Sequence, residues 1–454
     1  MSKFKKSLFI FRRDLRLEDN TALIDACVHS KEVIPCFIFD SEIMKSFKNS
    51  NFRIRFLIES LMDLQSQLKK SEGRLQIYQG KSLQIIKKIK KQFDFDAVFT
   101  NTDFTKASMC RDKEIRDFCK KKNMEFVALA DLTLQNFDRI RTAEGSPYKV
   151  YTQFFKKARL VKVREPQCFR YKNFIKKSSP DEKNLDDLSK KYPETNSPIK
   201  GGTKQAKRIL NNLSKFKNYD KDRNYPHMDA TTHLSSHNKF GTCSIREIYH
   251  KIINELGKNH TLINELYWRD FFISIMYHYP YTFNSSFRKK YSKIPWSKNE
   301  ENFKKWCKGI TGFPIVDAGM RQLNATGYMH NRIRMIVASF LTKDLHINWK
   351  WGERYFAEKL IDYDPSVNVG NWQWAASTGC DSQPWFRIFN PWLQQKKYDP
   401  DCKYTKKWIP ELENIPVKDI HNWDKVEIKI SYPSPIVDHK EESSHTKQVF
   451  KKFS

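Results

Sequence analysis

The chain has no CxxC pair among its nine cysteines, no glycine in the turn after its first β-rich run, no apolar run of membrane-spanning length and no tryptophan before Trp268. Each absence excludes something. Cys27, Cys36, Cys110, Cys119, Cys168, Cys243, Cys307, Cys380 and Cys402 are odd in number and scattered, which argues against a disulfide framework and a zinc site and suits a reducing compartment. The turn reads RRDLRLEDN where a dinucleotide-binding strand would lead into GxGxxG, so conventional nucleotide binding is not expected there. With no P-loop and no Ser/His/Asp or Cys/His hydrolase signature, any chemistry is left to a cofactor. The apolar stretch in MSKFKKSLFIFRRD is too short for a secretory leader, and a soluble, intracellular protein without membrane association is expected.

What is present is a foldable, strongly basic chain. Its 454 residues exceed the size at which one core usually keeps growing, so two packed units joined by a connector are expected. Hydrophobic residues make up 39% and aromatics 14%, too rich in core-formers for a disordered protein despite 30% charged residues. A formal charge of +30 suits a polyanion such as DNA or RNA, and a lysine-rich solvated surface accounts for part of it, because lysine is spread along the whole chain.

The runs SLFIF, VIPCFIFD, RLQIY, AVFT and EFVAL alternate with amphipathic stretches, one of which sets Ile54, Leu57, Ile58, Leu61, Leu64 and Leu68 on a single helix face. Such alternation predicts a parallel sheet covered on both sides. The polar stretch from Tyr171 to Gly202, punctuated by proline and glycine, reads as a long connector. Beyond it SIREIYHKIINEL, ELYWRDFFISIMYHY, NRIRMIVASFLTKDL and ERYFAEKLI predict a helical bundle, and the final residues, ending SHTKQVFKKFS, read as a frayed tail.

In ELYWRDF the spacing i, i+3, i+4 gathers Glu265, Trp268 and Arg269 on one helix face, where a core would not normally hold both charges. In MHNRIRMIV it gathers Asn331, Arg334 and Met335, with Arg332 adjacent. Either segment alone also fits a salt-bridged helix surface. The eleven tryptophans suit an aromatic core, stacking on bases or flavin-like rings, or electron hopping. Asp362, Asp364 and Asn368 faintly resemble a calcium loop, but Val367 stands where glycine is needed and Gln373 where glutamate is needed. His227, His233 and His237 lack a glutamate or cysteine at ligand spacing, so no metal is expected. TTHLSSH offers hydroxyls and a helix entrance suited to phosphate oxygens.

At these segments the chain resembles the photolyase and cryptochrome flavoproteins, closest to the class I enzymes for cyclobutane pyrimidine dimers. FIFRRDLRLEDNTAL is similar to their opening strand and loop, and GFPIVDAGMRQLNATGYMHNRIRMIVASFLTKDL, NWKWGERYFAEKLIDYDPSVNVGNWQWAASTG and WFRIFNP to their FAD and substrate core. The resemblance runs nearly end to end. It implies a Rossmann-like α/β domain over 1–132, a connector over 133–212, an all-α FAD- and DNA-binding domain over 213–432 and a flexible tail over 433–454. It further implies that Tyr219, Thr231, Thr232, His233, Leu234 and Ser235 hold the FAD phosphates and ribityl chain. Arg269, Asp362, Tyr363 and Asp364 would lie on the flavin side, with Arg334 the partner of Asp362. Asn368 falls where the family faces the flavin's reactive ring nitrogen, and Trp372, Trp349 and Trp296 match the chain that reduces the flavin under light.

The same resemblance implies a pocket for a flipped-out dimer made of Glu265, Trp268, Asn331, Arg332, Met335 and Trp374. Arg332, Arg223 and Gln394 would hold the DNA beside it. Enzymes for the (6-4) lesion carry a histidine pair at the positions of Asn331 and Met335, signalling cryptochromes carry aspartate or cysteine at that of Asn368, and single-strand-preferring members carry tyrosine at that of Trp374; none of these stands here. The expectation is a carbon–carbon lyase that repairs ultraviolet-damaged DNA by electron transfer from photoexcited, reduced anionic FAD, working as a monomer without an obligate protein partner. The alternative is a blue-light-sensing cryptochrome that signals without repair. A second, antenna chromophore of unspecified identity is allowed for, though Thr105 stands where folate-antenna members place a glutamate.

Overall fold

The computed structural model describes residues 2–46 and 50–453. Strands β1 (Phe4–Phe11), β2 (Ser30–Asp40), β3 (Gln76–Gly80), β4 (Ala97–Asn101) and β5 (Glu125–Leu129) form one parallel sheet in the order β3-β2-β1-β4-β5. All five expected runs are strands. Helices α1 (Thr21–His29), α2 (Asn51–Lys70), α3 (Ser82–Phe93) and α4 (Lys106–Lys121) supply the crossovers. Leu8, Ile10, Ile34, Ile38 and Val98 pack in one core with Ile85, Ile86 and Ile89 of α3 and Ile115 of α4. Alternation along the strands turns Phe9, Phe11, Val33, Phe37 and Phe99 the other way, and they too are buried. Every residue assigned to the apolar face of α2 is buried.

The turn after β1 shows why glycine is missing there. Asp14 accepts from the Arg12 amide and from Asn101 Nδ2, and Asn20 Nδ2 donates to the carbonyls of Asp14 and Arg16. Polar side chains fill the space that a bare glycine backbone leaves open for a pyrophosphate.

The packing divides the chain into two units: residues 1–148, 152–217 and 232–277 form the first, and residues 149–151, 218–231 and 278–454 the second. The first therefore includes helices α5 (Ile245–Leu256) and α6 (Thr261–His278) as far as Tyr277, which the sequence groups with the bundle. Arg246 on α5 donates to Asp19 and Asp131, and the Leu15 amide donates to the Phe240 carbonyl. The connector is largely without regular structure yet is pinned: Asn173 Nδ2 donates to the carbonyls of Cys27 and Ser30, and Tyr171, Phe174 and Ile175 are buried. At Gly201 a Cβ would meet the Phe56 carbonyl oxygen at 2.3 Å, so the chain passes α2 where no side chain fits.

The second unit is helical: α7 (Pro314–Thr326), α8 (Asn331–Ser339), α9 (Trp349–Lys359), α10 (Pro365–Ala375), α11 (Pro391–Tyr398) and α12 (His439–Lys451) are its main helices. The expectation of a frayed tail is overturned by α12. Asp438 caps its first turn, Thr446 and Phe450 are buried, and Phe450 packs with Tyr291, Ile294, Trp296 and Trp385. Its apolar positions are too few and too diluted by lysine to show as a helical stripe.

Candidate functional site

In the first unit, α6 presents Glu265, Trp268 and Arg269, all half-buried. Trp268 stacks on Phe272 with ring centroids 5.7 Å apart and meets Phe271 edge-on. Arg269 is fixed by its bond to the Leu132 carbonyl (2.8 Å) and by Asp270 (3.3 Å). Burial pushes the Asp270 carboxyl up to about 7 in spite of Arg269 and the Leu134 amide that it accepts.

Thr232 and His233 lead into a short helix, Leu234–Phe240, whose first two residues are Leu234 and Ser235. His233 is held at φ +53°, which turns the chain sharply into that helix. Ser236 Oγ and Asn238 Oδ1 are shielded from solvent with no hydrogen-bond partner among the described residues. Shielded orphan groups of this kind are uncommon and fit a polar ligand that supplies their partners, as FAD would.

In the second unit the charged groups are paired with care. Arg334 holds Asp362 through two nitrogens, at 3.2 and 2.9 Å, while its Nε donates to the Met329 carbonyl at 2.7 Å. Thr231 Oγ1 lies 3.2 Å from the Tyr328 hydroxyl, and Tyr219 is buried with the Arg223 guanidinium 5.4 Å from its ring centre. Asp364 caps α10 by accepting from the Ser366 amide, with Pro365 in the first turn.

Asn368, one turn into α10, donates both amide hydrogens to Glu353: to its side chain at 3.0 Å and its carbonyl at 3.2 Å. Tyr363 donates to the same carboxyl oxygen at 3.2 Å, and burial raises the Glu353 pKa above the ordinary carboxylate value. Glu353 was not among the residues singled out in the sequence. The signal that marks it is its place on α9 between buried Trp349 and buried Phe356, a carboxyl at i+4 on an apolar face.

Trp372 and Trp349 are buried, and Trp296 is half-buried beside Tyr291 and Phe450. Trp372 packs against Phe356 (5.0 Å) and Trp306 (6.1 Å) and covers Gly352, where a Cβ would come within 2.1 Å of its ring. Asn331 is exposed at the start of α8, with Met335 half-buried one turn on. Arg332 donates to Asn224 and lies over Tyr398, while Gln394 and Trp374 are half-buried on α11 and α10. Thr105, the position noted for its missing glutamate, caps α4 by accepting from the Ser108 amide.

A polar cleft opens where the strand order reverses, beyond the carboxyl ends of β1 and β4, lined by Arg12, Arg13, Asp14, Asn101, Asp103 and Asp131 among others. Among the described residues no three His, Cys, Asp or Glu side chains are grouped to hold a metal, and no helix is long and apolar enough to cross a membrane.

A parallel sheet, shielded and unsatisfied polar groups at Ser236 and Asn238 in the same unit, and a tryptophan-rich helical unit define a protein built to hold a cofactor. Residues 7–168 match the family model described as DNA photolyase, and residues 262–452 match that described as the FAD binding domain of DNA photolyase. A curated deoxyribodipyrimidine photo-lyase from Alkalihalophilus pseudofirmus is 36% identical, with 97% of each chain covered. Its counterpart from Escherichia coli is 34% identical, with 95% of each covered. Among solved structures, an archaeal photolyase from Sulfolobus tokodaii containing two FAD molecules superposes with a TM-score of 0.88 at 40% identity, over 98% of this chain and 100% of that one. A class III photolyase from Agrobacterium tumefaciens gives 0.91 at 32% identity, over 100% and 98%. The chain belongs to the DNA photolyase family.

Proposed function

We propose that this chain binds FAD and, under light, splits cyclobutane pyrimidine dimers in DNA. The observation that carries the reading is the two-sided character of α10. Asn368 and Trp372, four residues apart, share a side of the helix, whereas Trp374 is turned about 200° from Trp372. One helix thus offers a buried indole for electron supply and, on its other side, a half-buried indole for a flat lesion.

Bound in its reduced, anionic form, FAD would supply one electron on illumination and recover it when the dimer has opened. The remaining tasks belong to side chains. Tyr219, Thr231, Thr232, His233, Leu234 and Ser235 hold phosphates and ribityl chain through hydroxyls and amides, and Arg269, Asp362, Tyr363 and Asp364 hold the flavin side. Arg334 fixes the orientation of Asp362. Because Asn368 spends both amide hydrogens on Glu353, its carbonyl oxygen is left to accept from a ring N–H. Trp372, Trp349 and Trp296 pass electrons inward from the surface.

Trp268 and Trp374 pack on the extruded dimer, Glu265, Asn331 and Met335 contact its bases, and Arg332, Arg223 and Gln394 hold the flanking backbone. A second, light-harvesting chromophore of unspecified identity would add to what the flavin absorbs, and the archaeal relative with two FAD molecules supports its presence. We take the working protein to be an intracellular monomer, placed wherever its DNA resides.

The test is illumination of the purified protein with a thymine-dimer oligonucleotide. Yellow or blue protein should restore the thymines only in light. Glu265→Ala should keep the flavin and lose dimer splitting by about tenfold or more. Colourless protein that takes up no FAD, or equal repair in darkness, would overturn the reading, and normal repair by the variant would remove Glu265 from it. A protein that photoreduces its flavin but leaves every dimer intact would be a light sensor instead.

A further inference from the structure

Arg332 sits in an arrangement that goes beyond a surface cation waiting for phosphate. Its guanidinium carbon lies 4.4 Å from the ring centre of Tyr398, the last residue of α11, close enough for face-on contact. Its Nη2 donates to Asn224 Oδ1 at 2.5 Å, and Asn224 is itself anchored through Nδ2 to the carbonyls of Asp220 and Lys221. The backbone amide of Arg332 donates to His330 Nδ1, which fixes the start of α8. Its Nε is shielded from solvent and has no hydrogen-bond partner among the described residues.

A ring face and an amide oxygen therefore hold a planar, five-donor group by one side, while a shielded N–H is still unsatisfied. No carboxylate neutralises it: among the described residues Arg332 makes no ion pair. Burial lowers its pKa, Tyr398 opposes this, and the nearby positive charge of Arg223 adds to it, as suits a site completed by an anion. Arg223 is likewise stacked, 5.4 Å from Tyr219, and Lys397 lies 5.4 Å from the Tyr398 ring.

We infer that Tyr398 and Asn224 are positioning residues that preset Arg332 to grip a backbone phosphate of the damaged strand, so that DNA meets a fixed donor array instead of a mobile arginine. This rests on the reading of Arg332 as a phosphate contact. A side chain ordered beforehand has less freedom to lose on binding, which strengthens affinity without touching the photochemistry.

The experiment measures affinity for a thymine-dimer duplex across a salt series, and repair per absorbed photon at saturating DNA, in FAD-loaded full-length protein. Tyr398→Leu should weaken binding about 5- to 30-fold, the range of a desolvated cation–π contact. Repair per photon at saturation should be unchanged. Tyr398→Phe keeps the ring face and should bind like the parent. Arg332→Ala should weaken binding and reduce the salt slope by about one, and adding Tyr398→Leu to it should cost little more. Parental affinity in Tyr398→Leu, an equal loss in Tyr398→Phe, or additive losses in the double variant would overturn the inference while leaving Arg332 as a phosphate contact. Parental affinity in Arg332→Ala would overturn both. If Tyr398→Leu does not fold, Asn224→Ala is the deciding variant: weakened binding, again absent in the Arg332→Ala background, supports the inference, and unchanged binding overturns it.

Discussion

In the sheet-bearing unit Arg16, Asp19, Asp131 and Arg246 lie buried in direct contact, with Arg16 and Arg246 each 2.6 Å from an oxygen of Asp131 and Arg246 2.7 Å from Asp19. In the other unit the largest fully buried side chains are indoles, Trp306 among them, with its N–H donating to the Val337 carbonyl at 3.1 Å. The two units achieve order by different means. A buried ion network is exacting about geometry, because each charge removed from water must find its partner. An aromatic interior is held by close packing, where lost volume costs in proportion, and it offers closely spaced, oxidisable rings.

The largest effect should come from removing one member of the network. Asp131→Ala takes from buried Arg16 the carboxylate it pairs with and leaves Arg246 with Asp19, and should cost about 3–5 kcal/mol, read from the urea midpoint of the flavin-free protein. A smaller effect separates an indole that packs from one proposed to conduct. Trp306→Phe should cost about 1–2 kcal/mol through lost volume and one hydrogen bond, with flavin photoreduction at the parental rate. Trp296→Phe should do the reverse: stability within about 0.5 kcal/mol, photoreduction slowed, and repair by pre-reduced protein intact. Transient absorption and denaturant melts on the same samples decide between them.

The smallest effect near neutrality is in pH dependence. Against the burial that opposes them, arginines hold the Asp131 carboxyl well below the ordinary range and the Asp19 carboxyl below it. What these two contribute is complete above that range and disappears only as acid reaches their lowered values. Burial also depresses His237, from 6.5 to about 4, beside the Thr242 hydroxyl. Its contribution is complete above about 6.5 and is lost as pH falls toward 4. His237→Asn should therefore flatten the stability profile between pH 6.5 and 4 while leaving the steeper acid limb in place, as followed by denaturant midpoints at half-unit steps.

The strands were legible in the sequence because each is a run of β-formers bounded by amphipathic stretches, and the buried face of α2 followed from helical period alone. The ion pair of Arg334 with Asp362 was legible through family motifs, although the two stand 28 residues apart. Glu353, Tyr398 and Asn224 were not. Each acts by touching a residue far away in sequence, Tyr398 and Asn224 both on Arg332, and neither period nor charge pattern announces such a meeting. The helix at the C-terminal end was missed for a related reason: its stability comes from burying Phe450 among Tyr291, Trp296 and Trp385, not from its own composition.

Gly352 contributes by having nothing on its α-carbon but hydrogen. A single methyl there would reach the ring of Trp372 at 2.1 Å and the side chain of Leu341 at 2.6 Å, so one of them would have to move. Electron hopping falls off steeply with separation, so on the proposed route the seat of Trp372 is set by a hollow in the facing helix. The spacing of that route would then depend partly on a position that no survey of polar or aromatic residues would think to inspect.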